Sequence, residues 1–120
     1  MIKDKGWRFY GRRAGRKLNA QRQNALEQYY PQLEIKDYNA DGTLDPASLF
    51  SEPFDKFTLE IGFGNGERLA EHLTREPNTG FIGAEPFSNG ISAFLDEIQP
   101  SQPQNIRALM DDAIPLVKSF

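Results

Sequence analysis

A chain of 120 residues with 14 Lys and Arg, 17 Asp and Glu, ten Gly, eight Pro and no Cys describes one globular domain at most. Collagen-like, disulfide-scaffold and zinc-thiolate classes are excluded by that composition. The net charge of −3 conceals an asymmetry: residues 1–22 hold eight basic groups and one acid, whereas residues 23–120 hold six basic groups and 16 acids, so a +7 end is joined to a −10 body.

At the N-terminus, Lys3, Asp4, Lys5, Trp7 and Arg8 stand where a signal peptide would need an apolar core, and apolar runs elsewhere are only a few residues long. Secretion and membrane spanning are disfavoured, and a cytoplasmic location in a reducing compartment is expected. From Gly6 to Lys17 cations are interleaved with Trp7, Phe9 and Tyr10, rings able to stack on unpaired bases, and three glycines argue against a stable helix. Arg12, Arg13, Arg16 and Lys17 are the candidates for RNA phosphates. The competing reading is a solvated tail that only aids solubility, and the arm alone leaves both open. A twin-Arg export signal is excluded, because no apolar stretch follows Arg12-Arg13.

Asn19 can cap a helix whose inner face carries Ala25, Leu26, Tyr29, Tyr30 and Leu33, with Pro31 marking its end. Residues 1–35 are thus read as arm and helix. Residues 36–56 are read as a connector, rich in Asn39, Asp41, Gly42, Asp45, Pro46, Ser48, Ser51 and Pro53, with Leu49 and Phe50 available to dock on the body. The spacing Asp37, Asn39, Asp41, Gly42 resembles a calcium loop but lacks its bidentate Glu and flanking helices.

Residues 57–120 alternate strand and helix. Three apolar runs, 57–61, 80–85 and 105–110, read as buried strands. Between them lie helices carrying Leu69, Ala70 and Leu73 and then Ile91, Phe94, Leu95 and Ile98, the latter at i, i+3, i+4, i+7. The order predicts an α/β domain with a parallel βαβαβ sheet and right-handed crossovers. A last helix from about Asp112 should place Ala113, Leu116, Val117 and Phe120 inward.

The chemistry concentrates at the first strand-to-helix turn, Leu59-Glu60-Ile61-Gly62-Phe63-Gly64-Asn65-Gly66. Gly62, Gly64 and Gly66 let the backbone turn tightly and let a ligand approach the helix N-terminus. Glu85 closes the second strand 19 residues past Gly66, where an acid can accept ribose hydroxyls. Two details separate the nucleoside cofactors: the GxGxG spacing in place of GxGxxG, and Glu60 two residues before Gly62. A cation such as the sulfonium and amino group of S-adenosylmethionine (SAM) answers that acid, whereas the pyrophosphate of NAD or FAD would be repelled. A structural glycine turn, with Glu60 paired to a lysine or arginine, stays open as the bland alternative.

That turn, together with Phe81-Ile82-Gly83-Ala84-Glu85-Pro86-Phe87-Ser88-Asn89-Gly90 and the arm Phe9-Tyr10-Gly11-Arg12-Arg13-Ala14-Gly15-Arg16-Lys17-Leu18, resembles the bacterial tRNA (guanine-N7)-methyltransferase family. The resemblance covers nearly the whole chain apart from residues 36–52. It implies a Rossmann-like class I methyltransferase fold, SAM as cofactor and tRNA as partner. It further implies that Glu60, Gly62, Gly64 and Gly66 hold the methionine end, that Glu85 binds the ribose, and that Asp112 contacts the adenine amino group, with Asp111 as a substitute. For both aspartates the ordinary alternative is capping of the last helix. The implied reaction is methyl transfer to guanosine N7 at tRNA position 46. N7 has a free lone pair, so no general base and no metal are implied; His72 reads as a solvated helix residue.

Family members continue past the third helix into a Pro-Asp-Pro-Trp segment and a basic run. The catalytic residue is therefore expected beyond Phe120, and these 120 residues read as the N-terminal half of a methyltransferase, inactive alone, with an open sheet edge along 105–110. A non-catalytic nucleotide-binding or RNA-binding fragment is the alternative function. The oligomeric state is not set by the sequence.

Overall fold

The computed structural model describes residues 18–120; Arg12, Arg13, Arg16, Lys17 and the rest of the arm lie outside the described residues. Asn19 opens the first helical segment because its extended backbone lets Oδ1 accept the Arg22 N–H at 2.8 Å. α1 (Ala20–Asn24) runs into a π-helical turn (Ala25–Tyr29) and then α2 (Tyr30–Leu33). The chain thus stays helical past Pro31, where the sequence predicts an end. Pro31 has no N–H, and its ring crowds the carbonyl four residues back in a regular helix. Widening the preceding turn, so that the Tyr30 N–H bonds the Ala25 carbonyl, accommodates it. Ala25, Tyr29, Tyr30 and Leu33 are buried, as the periodicity predicts.

A short 3₁₀ turn (Pro46–Leu49), capped by Asp45, precedes the alternating core. That core consists of β1 (Lys56–Ile61), α3 (Glu67–Arg75), β2 (Thr79–Ala84), α4 (Ser88–Ile98), β3 (Ile106–Leu109) and α5 (Ala113–Ser119). The strands form one parallel sheet in the order β1-β2-β3, with Leu59 opposite Ile82 and Ala84 opposite Leu109. Because successive strand residues face opposite sides, Phe81 and Ile82 join different layers. On one face the N-terminal helical segment, α3 and α4 bury Leu69, Leu73, Phe81, Ile91, Phe94, Leu95, Ile106 and Ala108. On the other, α5 and residues 35–54 bury Ile82, Ala84, Leu109, Ala113 and Leu116. Each such Leu or Ile contributes about 1.5–3 kcal/mol on leaving water.

Residues 36–56 form a packed layer. Phe50 is buried beside the rings of Phe54 and Phe57, at 5.1 and 5.6 Å between centroids. The N–H groups of Gly42 and Leu44 donate to the carbonyls of Lys118 and Ser119 at 2.9 and 2.8 Å, and the Ala40 N–H donates to Ser119 Oγ at 2.9 Å. Ser119 is therefore fully buried, its hydroxyl donating in turn to the Pro115 carbonyl. Val117, predicted to point inward, is 41% exposed.

Two further expectations are corrected. β2 is buried throughout, but β1 alternates between exposed and half-buried residues, because it has a neighbouring strand on one side only. The outer side of β3, predicted to be the open edge, is occupied: Glu34 bridges to Ala108, the Ile35 N–H donates to the Ala108 carbonyl at 2.9 Å, and Tyr30 Oη accepts the Met110 N–H at 2.9 Å. Among the described residues the edge left without a ladder partner is that of β1.

Candidate functional site

The turn after β1 is shaped by backbone conformations that only glycine adopts without strain. Gly62, Gly64 and Gly66 have φ of 67°, 63° and 73°, all in the left-handed region. Their surroundings differ. A Cβ on Gly66 would lie 2.4 Å from the Phe94 ring, so this glycine lets the start of α3 press against α4. At Gly62 and Gly64 a Cβ would meet nothing within 4 Å, which leaves open space on the turn. The turn is anchored by the Gly62 N–H donating to the Ala84 carbonyl at 2.7 Å and the Gly66 N–H donating to the Phe63 carbonyl at 3.0 Å.

Glu85 directly follows β2 and is only 4% exposed. Its main-chain N–H donates to the Leu109 carbonyl, and its carboxylate accepts the Gly64 N–H on Oε1 at 2.7 Å and the Phe87 N–H on Oε2 at 3.0 Å. The cost of burying this acid is thus met by backbone donors on two loops. Glu60 lies opposite Gly83 near the end of β1 and is partly exposed. Among the described residues no lysine or arginine forms an ion pair with Glu60.

Asp112 takes the capping role that its position allows: Oδ1 accepts the Ile114 N–H at 3.1 Å, while Asp111 Oδ1 accepts the Asp112 N–H at 2.7 Å. Asp112 also lines a cavity of about 560 Å³ whose walls include Ile61, Gly62, Pro86, Ile114 and Val117. Of the candidates, this cavity brings together Gly62 and Asp112; Glu60, Gly64, Gly66 and Glu85 do not line it, and Gly64 is bonded to Glu85. Among the described residues the cation on its wall is Lys118. A mostly apolar slot with one carboxylate and one ammonium on its wall suits a flat, uncharged ring.

Sequence reasoning missed the apolar rim and Gly90. A Cβ on Gly90 would come within 2.6 Å of the Gly64 carbonyl oxygen, so α4 can abut the turn only because this residue has no side chain. A glycine in the first turn of a strongly periodic helix is the available signal for such an approach. His72 is more enclosed than predicted: its Nδ1 is 3.1 Å from Glu76 Oε2, and its ring lies 6.1 Å from that of Phe81. Among the described residues no group of three or more His, Cys, Asp or Glu could hold a metal ion, and no helix is long and apolar enough to cross a membrane.

Comparison with known proteins bears on this geometry. A family profile described as "Putative methyltransferase" matches residues 55–120, the stretch that carries the sheet, the glycine turn, Glu85 and Asp112. A tRNA (guanine-N(7)-)-methyltransferase of Nitrobacter hamburgensis is 42% identical over 109 residues, covering 91% of this chain and 42% of that protein. One of Chelativorans sp. is 39% identical over 109 residues, covering 91% and 47%. The chain therefore spans less than half the length of these curated relatives. A solved structure titled "Structure of an antibiotic related Methyltransferase" aligns over 66% of this chain and 40% of its own at 20% identity, with a TM-score of 0.48, a likeness too loose to add to the comparison. Matched by the family profile over more than half its residues, and over the part that builds the glycine turn, the chain belongs to this methyltransferase family.

Proposed function

We propose that this chain binds SAM at the glycine turn and forms the cofactor-binding part of an enzyme that methylates N7 of a tRNA guanosine. The observation that carries the cofactor reading is the turn: three left-handed glycines between β1 and α3, with a buried carboxylate reaching into it from the end of β2. The residues fit the group. Open space at Gly62 and Gly64 admits a ligand to the backbone, and Glu60 offers its charge to an ammonium or sulfonium. The apolar cavity suits adenine, with Asp112 at its rim for the amino group. A dinucleotide pyrophosphate at the turn would lie near the charge of Glu60 at the end of β1.

SAM, when bound, supplies a methyl group on a sulfonium. Glu60 orients the amino end, the turn holds the chain of the methionine, and Glu85 has lone pairs left to accept from ribose hydroxyls. Because guanine N7 presents a free lone pair, the reading asks none of the described residues to take a proton, and it gives none of them a catalytic role; holding the reactants in line is the demand. The tRNA assignment rests on the names and similarity of the relatives and on the basic, aromatic arm. In this reading residues 1–35 contact tRNA, with Arg12, Arg13, Arg16 and Lys17 on phosphates, residues 36–56 connect, and residues 57–120 bind the cofactor.

Calorimetric titration of the chain with S-adenosylhomocysteine tests the cofactor reading. Saturable binding is expected, weakened by about 1–3 kcal/mol in Glu85→Ala, because two hydroxyl donors lose a charged acceptor. Absence of binding overturns it. For tRNA, affinity should fall steeply with salt, and neutralising Arg12 and Arg13 together should flatten the log-log slope by about two. An unchanged slope makes the arm a solubility tail and leaves a nucleotide-binding fragment.

A further inference from the structure

The two oxygens of Glu85 are held by different parts of the chain. Oε1 accepts from Gly64 in the turn after β1, and Oε2 accepts from Phe87 just before α4. The carboxylate itself is fixed: Glu85 is 4% exposed, and its own N–H is bonded to β3 through the Leu109 carbonyl. Gly64 has its N–H bonded to Glu85, and its carbonyl oxygen lies so near Gly90 that a Cβ there would come within 2.6 Å. A Phe-Gly-Asn-Gly turn is conformationally permissive and loses much entropy on being ordered, so a charge-assisted bond at its centre decides whether it keeps one shape.

We propose that Glu85 is a positioning residue for the glycine turn, holding Gly62–Gly66 in a ligand-ready shape before any ligand arrives, in addition to the ribose contact assigned to it above. The inference rests on the reading of this turn as the cofactor site for its functional meaning, but the ordering itself needs no cofactor. It follows that affinity lost in Glu85 variants is not confined to the ribose.

Two measurements on the 120-residue chain separate these roles. Amide exchange followed by NMR without ligand should show the Gly64 amide exchanging about tenfold faster or more in Glu85→Ala, with β2 and α4 protected as before. Glu85→Gln, whose carbonyl can still accept one N–H, should recover part of that protection. If Glu85→Ala loses protection throughout the chain, the Gln variant, judged at Gly64 against the core amides, decides. The second measurement compares S-adenosylhomocysteine with its 2′,3′-dideoxy analogue by calorimetry: the alanine variant should lose affinity for both. Unchanged exchange at Gly64, or a loss restricted to the ligand with ribose hydroxyls, overturns the proposal. If neither ligand binds the wild-type chain, the cofactor reading falls, and the exchange experiment still decides whether Glu85 orders the turn.

Discussion

The sheet ends in two edges that are treated differently. Along β3, Glu34 and Ile35 join the outer side and the Tyr30 hydroxyl takes the Met110 N–H, so Ile106 and Ala108 are fully buried. Along β1 no described residue joins, and Ile61 is 59% exposed beside Ile114 and Val117 at 58% and 41%. Each strand carries three apolar side chains, Phe57, Leu59 and Ile61 in β1 and Ile106, Ala108 and Leu109 in β3. What separates them is a neighbour contributed by a distant part of the chain, so burial in a sheet is decided by what lies across the ladder as much as by the strand itself.

The largest effect should come from truncating the covered edge. Ile106→Ala should cost about 2–5 kcal/mol in urea unfolding, and Ile61→Ala less than about 0.5 kcal/mol. Equal costs would mean that the bare edge is covered in solution. The same contrast between covered and open exists within the glycine turn. Gly66→Ala, strained in φ and driven into the Phe94 ring, should cost about 2–4 kcal/mol, and Gly62→Ala, strained in φ alone, about 1–2 kcal/mol. A smaller test concerns the hydroxyl that reaches the end of β3: Tyr30→Phe should cost about 1 kcal/mol and leave β1 untouched in amide exchange.

The smallest effect is tied to pH. Tyr29 is buried with no hydrogen-bond partner for its hydroxyl among the described residues, and burial holds its pKa above the ordinary 10.0, partly opposed by the charge of Arg107. A raised folded-state pKa means that the stability involved is intact below the ordinary phenol value and is lost as pH rises through the raised one. Tyr29→Phe should therefore change stability at neutral pH by less than about 1 kcal/mol and flatten the alkaline decline above pH ~10. A decline of unchanged steepness in the phenylalanine variant would assign it to other groups.

Much of this arrangement was legible because its causes are local. The Asn19 cap, the Ile91, Phe94, Leu95, Ile98 stripe and the glycine turn each depend on residues within a few positions of one another. What escaped was decided at long range. Pro31 is passed without a break because the turn before it widens; Ser119 is buried in place of Val117 because residue 40 donates to it; and Gly90 matters because of Gly64. The candidate site divides the same way. Glu60, Glu85 and the three glycines could be named from spacing, but the grip of Glu85 on Gly64 and the apolar rim of Ile61, Pro86, Ile114 and Val117 exist only once three loops converge.

The clasp between the Ala40 N–H and Ser119 Oγ joins positions 79 residues apart. Its neighbours behave alike, since Gly42 and Leu44 also wait for the carbonyls of Lys118 and Ser119. During synthesis Phe50 can already rest on Phe57 and Arg107, but the hydrogen bonds of residues 40, 42 and 44 to Lys118 and Ser119 cannot form until α5 has emerged. Closing this layer therefore waits on contacts far apart in sequence, and the loop-closure entropy must be overcome before Leu44 and Leu116 are sealed against the sheet.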